Sequence, residues 1–285
     1  MKPAAFVYHR PETIEEAVRI LAEVAPGDGR VIAGGQSLVP IMAFRMARPP
    51  DLIDINRIAG LDRLAVEGDR LVIGARVRHM ALREGAVPGA TGVLLARLMH
   101  HIAHAPIRTR GTFCGSLAHS DPSSEWCLAA AALDAVLVAQ SMRGMREIAA
   151  SDFFQGVMTT DLQPDEILVE ARLPLLPDDT RIGFVEFSRR AGDFALAAVL
   201  VTYRIVDGKI AEPRFAIGGA EAFPRRLAAV EARLTGAAPD ATTWSDAAEQ
   251  AAALIEPLED AATTGAYRRD LVRALSLRAF EQTSA

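Results

Sequence analysis

Two glycine-rich stretches constrain this chain most, because neither reads as regular structure and each supplies backbone that can come close to a ligand. The first is Ala33-Gly34-Gly35-Gln36-Ser37; the second runs from Arg110 through Gly111, Thr112, Phe113, Cys114, Gly115, Ser116, Leu117, Ala118, His119, Ser120 and Asp121 to Pro122. The second concentrates Gly, Thr, Ser, Asp and Pro around a few small apolar residues, a composition for an ordered loop. Gly111 and Gly115 permit close backbone approach, and Thr112 and Ser116 set hydroxyls beside N–H groups. Successive N–H donors attract phosphate oxygens without a cation. Alone, each stretch reads as a tight turn. Together they read as opposite walls of one pyrophosphate site.

The flanking pattern supports this. Val31-Ile32-Ala33 is a short apolar strand ending at Gly34-Gly35, after which Ser37 is placed to cap a helix that tolerates Pro40 in its first turn. A strand, a Gly turn and a helix N-terminus offer phosphate both free donors and the positive end of the helix dipole. The G-x-G-x-x-G fingerprint is absent, which argues against a Rossmann NAD site. Pro49-Pro50 halts the helix and Leu52-Ile53-Asp54-Ile55 returns as a strand, completing a βαβ unit. Upstream, Thr13 and Glu16 form a capping box, and Ile14, Ala17, Val18 and Leu21 predict a helix to about Val24.

From Leu64 the pattern changes. Leu64–Val66, a Gly68-Asp69 turn and Leu71–Gly74 read as a hairpin that begins a second subdomain. Gly92 to His104 reads as a helix. Asp121 is placed as the N-cap, with Pro122 at the first position, of an Ala-rich helix to Ala132. Ala135–Val138 and Ile167–Leu173 read as strands and Ser151–Phe154 as a short helix. The Pro174–Asp179 cluster marks a domain boundary, giving residues 1–176 (subdomains about 1–56 and 57–176) and 177–285. In the second unit Phe184–Phe187, Phe194–Ile205 and, after an Asp207-Gly208 turn, Ile210–Ile217 read as a three-stranded antiparallel sheet. Helices follow at roughly Pro224–Leu234, Thr243–Ile255 and Gly265–Gln282. The fold class is α+β.

Composition excludes several functions. A chain of 285 residues, half of them apolar and with a net charge of −5, can bury real cores and has no basic balance for nucleic acid. No apolar run reaches the roughly 18 residues of a membrane span. The N-terminus lacks an apolar signal segment, so a cytoplasmic location is expected. Two cysteines, Cys114 and Cys127, cannot hold an iron–sulfur cluster, which needs about four thiolates.

Ala33-Gly34-Gly35-Gln36-Ser37-Leu38-Val39-Pro40, Leu52–Ile55 and Gly111-Thr112 to Asp121-Pro122, in that order and at those separations, resemble the FAD-binding medium subunit of molybdenum hydroxylases. This is the xanthine dehydrogenase and carbon monoxide dehydrogenase family; chain length and Gly192-Asp193-Phe194-Ala195 also fit. The resemblance implies a two-subdomain FAD-binding fold of the vanillyl-alcohol-oxidase-like (PCMH) type plus a C-terminal α+β unit. It implies non-covalent FAD, with molybdopterin and two 2Fe–2S clusters on a large and a small partner subunit, in a dimer of heterotrimers. This chain would pass electrons from those clusters to an external acceptor. The alternatives are a stand-alone FAD-dependent oxidase or dehydrogenase and a non-catalytic nucleotide-binding protein.

By the same resemblance, cofactor contacts fall on Ala33, Gly34, Gly35, Gln36, Ser37 and Leu38, and on Thr112, Cys114, Gly115 and Ser116, with His119 and Asp121 beside them. Glu125 either accepts hydroxyls of the flavin's ribityl or adenosine part or stabilises a helix dipole. Ile102 and Leu168 are apolar flavin contacts or plain core. Phe194 stands where relatives carry an aromatic, often Tyr, against the ring. Relatives have Thr-x-Gly-Gly where this chain has Thr112-Phe113-Cys114-Gly115, so a side chain is expected to project at one cradle position. His100 and His104 share a spacing of i, i+4 without matching carboxylates and read as polar packing rather than metal ligands. Ser37 and Ser116 lack the G-x-S-x-G elbow of serine hydrolases.

Overall fold

The computed structural model describes residues 2–260 and 263–283. The N-terminal part runs β1 (Val7–His9), α1 (Ile14–Val24), β2 (Arg30–Ile32), α2 (Leu38–Ala43), β3 (Asp51–Asp54), β4 (Leu64–Glu67) and β5 (Arg70–Gly74). Helices α3 (Gly89–His101), α4 (Ala105–Arg108), α5 (Phe113–His119) and α6 (Glu125–Ala132) follow, then β6 (Val136–Ser141), β7 (Gly144–Ala149), α7 (Ala150–Phe153), β8 (Phe154–Gly156), β9 (Thr159–Thr160) and β10 (Ile167–Pro174). The C-terminal part contains β11 (Arg181–Phe187), β12 (Ala197–Val206), β13 (Lys209–Gly218), β14 (Arg225–Arg226), α8 (Ala228–Leu234), α9 (Ala241–Leu254) and α10 (Gly265–Thr283).

Helix α1 starts where Thr13, in extended backbone, accepts the Glu16 N–H, and it buries Ala17, Val18 and Leu21 against β3 and β6. The first sheet has the order β1-β3-β2, all parallel, with α2 linking β2 to β3 as the expected βαβ unit. The second is antiparallel in the order β4-β5-β10-β6-β7. Both expected hairpin strands are present, β4 at the edge and β5 between it and β10.

Helix α6 explains its own position. It is apolar all round, and every residue of it but Glu125 is buried, which suits only a helix packed on several sides. It lies between α3 and α5 on one side and β13 on the other. The C-terminal sheet has the order β11-β12-β13-β14; the three strands read in the sequence gain a two-residue fourth. Strand β12 begins at Ala197 rather than Phe194 and is covered on both faces. Ala198 and Leu200 join the core beneath the N-terminal part, whereas Ala197, Val199, Val201 and Tyr203 join the cluster under α8, α9 and α10. That two-sided burial is why the strand reads as a continuous apolar run instead of an alternation.

Close contact between β11 and α10 depends on Gly183, where a Cβ would stand 1.9 Å from the carbonyl oxygen of Ala279. Gly183→Ala is therefore expected to destabilise the chain by about 1–3 kcal/mol, as overpacking does. Urea unfolding checks this: a lower midpoint with an unchanged slope is expected.

Candidate functional site

The first wall begins where β2 ends. Asn56 Nδ2 holds the Ala33 carbonyl at 2.6 Å, Gln36 Nε2 folds back to the Gly34 carbonyl at 3.1 Å, and Gly35 takes φ +70. Only glycine adopts that backbone without strain. Ser37 does not cap α2 with its side chain, contrary to expectation: at φ −99 and ψ −50 it is already helical, whereas a capping hydroxyl needs extended backbone. The N–H groups of Gly35, Gln36, Ser37 and Leu38 meet no acceptor among the described residues.

The second wall is not the loop its composition suggested. Phe113–His119 is a helix, because Thr112, in extended backbone, accepts the Gly115 N–H at 3.0 Å and Phe113, Cys114 and Leu117 are buried in the core. Cys114 does not project into the cradle. Its thiol points inward, 3.5 Å from the Ile73 carbonyl, and burial raises its pKa far above the ordinary range. The geometry therefore offers no covalent attachment through sulfur. The N–H groups of Thr112 and Cys114 meet no acceptor among the described residues.

The walls meet backbone to backbone. A Cβ on Gly34 would lie 2.3 Å from the Arg110 carbonyl oxygen and 2.7 Å from Gly111 Cα. Behind Gly111 stands His79, whose Nε2 would be 2.3 Å from a Cβ there. The segment before it pairs with the second wall, with Phe113 N–H to the Val77 carbonyl and His79 N–H to the Gly111 carbonyl, each 3.0 Å. Trp126 Nε1–H donates to His79 Nδ1 at 2.8 Å. Indole can only donate, so the imidazole proton sits on Nε2. Burial, reinforced by Arg78 and Arg108, lowers the His79 pKa to about 4, so the ring is neutral at ordinary pH. Asn56 Oδ1 accepts from Arg78 Nη2 at 2.6 Å, and Arg78 Nη1 donates to the Arg110 carbonyl.

Between the walls lies a cavity of about 730 Å³, closed on a further side by Met158 to Leu168. Arg146 holds that side in place, with Glu166 at 2.7 and 2.8 Å and Asp161 at 2.6 Å. A volume of this size and a run of unpartnered amides suit an extended ligand with a diphosphate at its middle.

All the expected cofactor contacts line this cavity except Ile102, Asp121, Glu125 and Phe194. Ile102 is buried just beyond α3, and Phe194 is 65% exposed. Asp121 is not the N-cap of α6. It accepts the Ser123 N–H at 2.9 Å in a local turn, and Ser124 caps the helix through the Cys127 N–H. Glu125 opens that helix and is only partly buried as a residue, yet its carboxyl is desolvated; that loss of water, then neighbouring Glu186, pushes it up to about 8. His100 and His104 do not share a helix, since α3 ends at His101 and His104 precedes α4. Among the described residues no three His, Cys, Asp or Glu side chains group to hold a metal. Sequence reasoning missed Asn56, Arg78, His79 and the Met158–Leu168 side. A polar residue outside any motif carries no local signal of this kind; the pairing of 77–79 with 111–113 is what reveals them.

Residues 4–176 match the FAD binding domain in molybdopterin dehydrogenase, and residues 183–283 match the CO dehydrogenase flavoprotein C-terminal domain. The chain is 37% identical over 285 residues to the nicotine 6-hydroxylase medium subunit of Paenarthrobacter nicotinovorans, covering 100% of this chain and 99% of that one. It is 36% identical to the caffeine dehydrogenase subunit beta of Pseudomonas sp. strain CBB1, covering 100% and 96%. The solved carbon monoxide dehydrogenase of Hydrogenophaga pseudoflava contains a chain that superposes with a TM-score of 0.95 at 33% identity, covering 100% of this chain and 99% of that one. This chain therefore belongs to the family of FAD-binding medium subunits of molybdenum-containing dehydrogenases and hydroxylases, which includes the carbon monoxide dehydrogenase flavoproteins.

Proposed function

We propose that this chain is the electron-transferring FAD subunit of a three-component molybdenum hydroxylase. It would take electrons from 2Fe–2S clusters of a small partner subunit and deliver them to an external acceptor, while a large molybdenum subunit hydroxylates the organic substrate. The assembly is a dimer of such heterotrimers in the cytoplasm. One observation carries the reading: unpartnered amides on two walls, one following β2 and one opening α5, converge on a single cavity where Gly34 and Gly111 touch.

FAD, when bound, supplies the redox chemistry. The chain's own residues bind and orient it. Gly35 to Leu38 and Thr112 with Cys114 offer N–H donors for the diphosphate, Thr112 fixes the second wall by capping α5, and Leu168 supplies an apolar side. The four outlying residues, Ile102, Asp121, Glu125 and Phe194, belong in this proposal to the flavin and ribityl end. Two buried, unpaired cysteines cannot hold a cluster, so the clusters belong to another chain. The medium-subunit and beta-subunit names of the relatives support partners of this kind. No described helix is long and apolar enough to cross a membrane. We further propose that the chain divides at 176/177, in keeping with separate hydrophobic clusters on the two sides of the C-terminal sheet.

Acid denaturation of the purified chain should release intact FAD; flavin remaining with the precipitate, or release as FMN, would contradict the reading. Gly34→Ala should push the walls apart and weaken FAD binding at least tenfold, about 1.4 kcal/mol or more, measured by quenching of flavin fluorescence. Gly115→Val is a poorer probe, because a Cβ there strikes the capping Thr112 Oγ1 at 2.6 Å and disturbs the fold as well. Finally, the isolated chain should oxidise no small organic substrate, and adding the two partner subunits should restore substrate-dependent flavin reduction. Turnover by the chain alone would make it a stand-alone oxidase.

A further inference from the structure

The rear of the two walls carries more positive charge than it balances. The Arg78 guanidinium sits there, about half buried, bridging the Arg110 carbonyl and Asn56 Oδ1, while Asn56 Nδ2 reaches the Ala33 carbonyl. A continuous polar strap thus runs from the first wall to the second. Its only strong charge is a cation with no carboxylate partner in direct contact.

Around Arg78 stand two further cations, Arg76 and Arg110, and one acid, Asp54. The acid is already engaged: Asp54 Oδ1 accepts the Asn56 N–H at 2.8 Å and Nδ2 at 2.6 Å, and Oδ2 accepts the Tyr8 hydroxyl. Arg76 turns to the Ile58 carbonyl and toward Asp62 at 3.9 Å. The Arg110 side chain makes no hydrogen bond or ion pair among the described residues. Burial first, and then Arg76 and Arg110, disfavours the charged form of Arg78. The same field depresses His79, with Arg78 and Arg108 as the cations named. Three guanidiniums against the occupied Asp54 and a single distant partner of Arg76, Asp62, leave a local surplus behind the amide donors in a chain of net charge −5.

We propose that Arg78, oriented by Asn56, is a further FAD-positioning residue of this chain: its guanidinium sets the gap between the two walls, and the ligand's diphosphate supplies the counter-charge that the fold withholds. This rests on the FAD reading above. It assigns Arg78 no contact with the reacting ring. Until the ligand arrives, the strap holds together like charges, so the residue favours the loaded state rather than the empty one.

The test uses the full-length chain stripped of FAD, with variants Arg78→Met and Arg78→Lys, titrated with FAD at low and high salt and melted with and without ligand. Arg78→Met is expected to bind FAD at least tenfold more weakly, with a shallower salt dependence. Its ligand-free melting temperature should stay within about 3 °C of wild type or rise, since 1 kcal/mol is worth only a few degrees in a chain of this size. Arg78→Lys should keep the salt dependence and lose part of the affinity, because an ammonium lacks the planar fork that reaches both oxygens. ADP, which carries the diphosphate without a flavin, should show the same loss with Arg78→Met.

Wild-type affinity in Arg78→Met overturns the proposal. So does a ligand-free chain that no longer folds or that melts well below wild type with an unchanged salt slope, for then the charge serves the fold alone. A wild-type chain that takes up no FAD defeats the FAD reading itself. Uptake by wild type with indifference of Arg78→Met defeats only the role of Arg78.

Discussion

Everything at the site depends on two backbones touching where neither has a side chain. Gly34 meets Arg110 and Gly111 so closely that a single methyl group would overlap a carbonyl oxygen. The approach brings amides from the end of β2 and from the start of α5 to one cavity. It also forces the surroundings to supply the rigidity that side-chain packing would normally give. His79 and Trp126 do this behind the second wall, where a hydrogen bond from buried α6 fixes the ring that backs Gly111. Asn56 does it behind the first.

Much of the fold was legible because its signals are local or periodic. The Thr13 cap, the β4–β5 turn and the strand–glycine–helix order around Gly34 all appear in the structure. The misreadings have a shared cause in tertiary context. Phe113–His119 contains Gly and Ser and has weak intrinsic helicity, yet a Thr cap worth about 1 kcal/mol and three side chains buried in the core outweigh that weakness. Asp121-Pro122-Ser123-Ser124 offers more than one capping residue, and the choice fell to Ser124 once Asp121 had closed its own turn. Arg78 and His79 belong to no motif. Their importance comes from pairing with residues more than thirty positions away, which no local window contains.

Among the polar contacts that fasten the two parts of the chain, two lie beside the entry to α6. Ser123 Oγ donates to the Ala195 carbonyl at 2.8 Å, and Gly219 N–H donates to the Pro122 carbonyl at 2.7 Å. Within the C-terminal part, buried Arg268 gathers the Leu196 and Gly219 carbonyls next to these contacts, at 2.6 and 2.7 Å. These bonds satisfy backbone oxygens that the sheet itself leaves unpaired, as buried carbonyls require. They also join the segment that carries Phe194 to the segment that leads into α6. The loop bearing the exposed aromatic is thereby tied to the helix that supports the second wall.

The order of the five-stranded sheet has a consequence for how the chain is made. Its central strand, β10, is the last of the five to leave the ribosome, and it inserts between β5 and β6. Until then the nascent β4–β5 and β6–β7 hairpins have no common partner, and the Met158–Leu168 side of the cavity has nothing to close against. Domains fold as units during synthesis, and pairings distant in sequence come last. The pocket therefore cannot be complete until β10 has emerged, at a point when most of the C-terminal sheet has still to leave the ribosome.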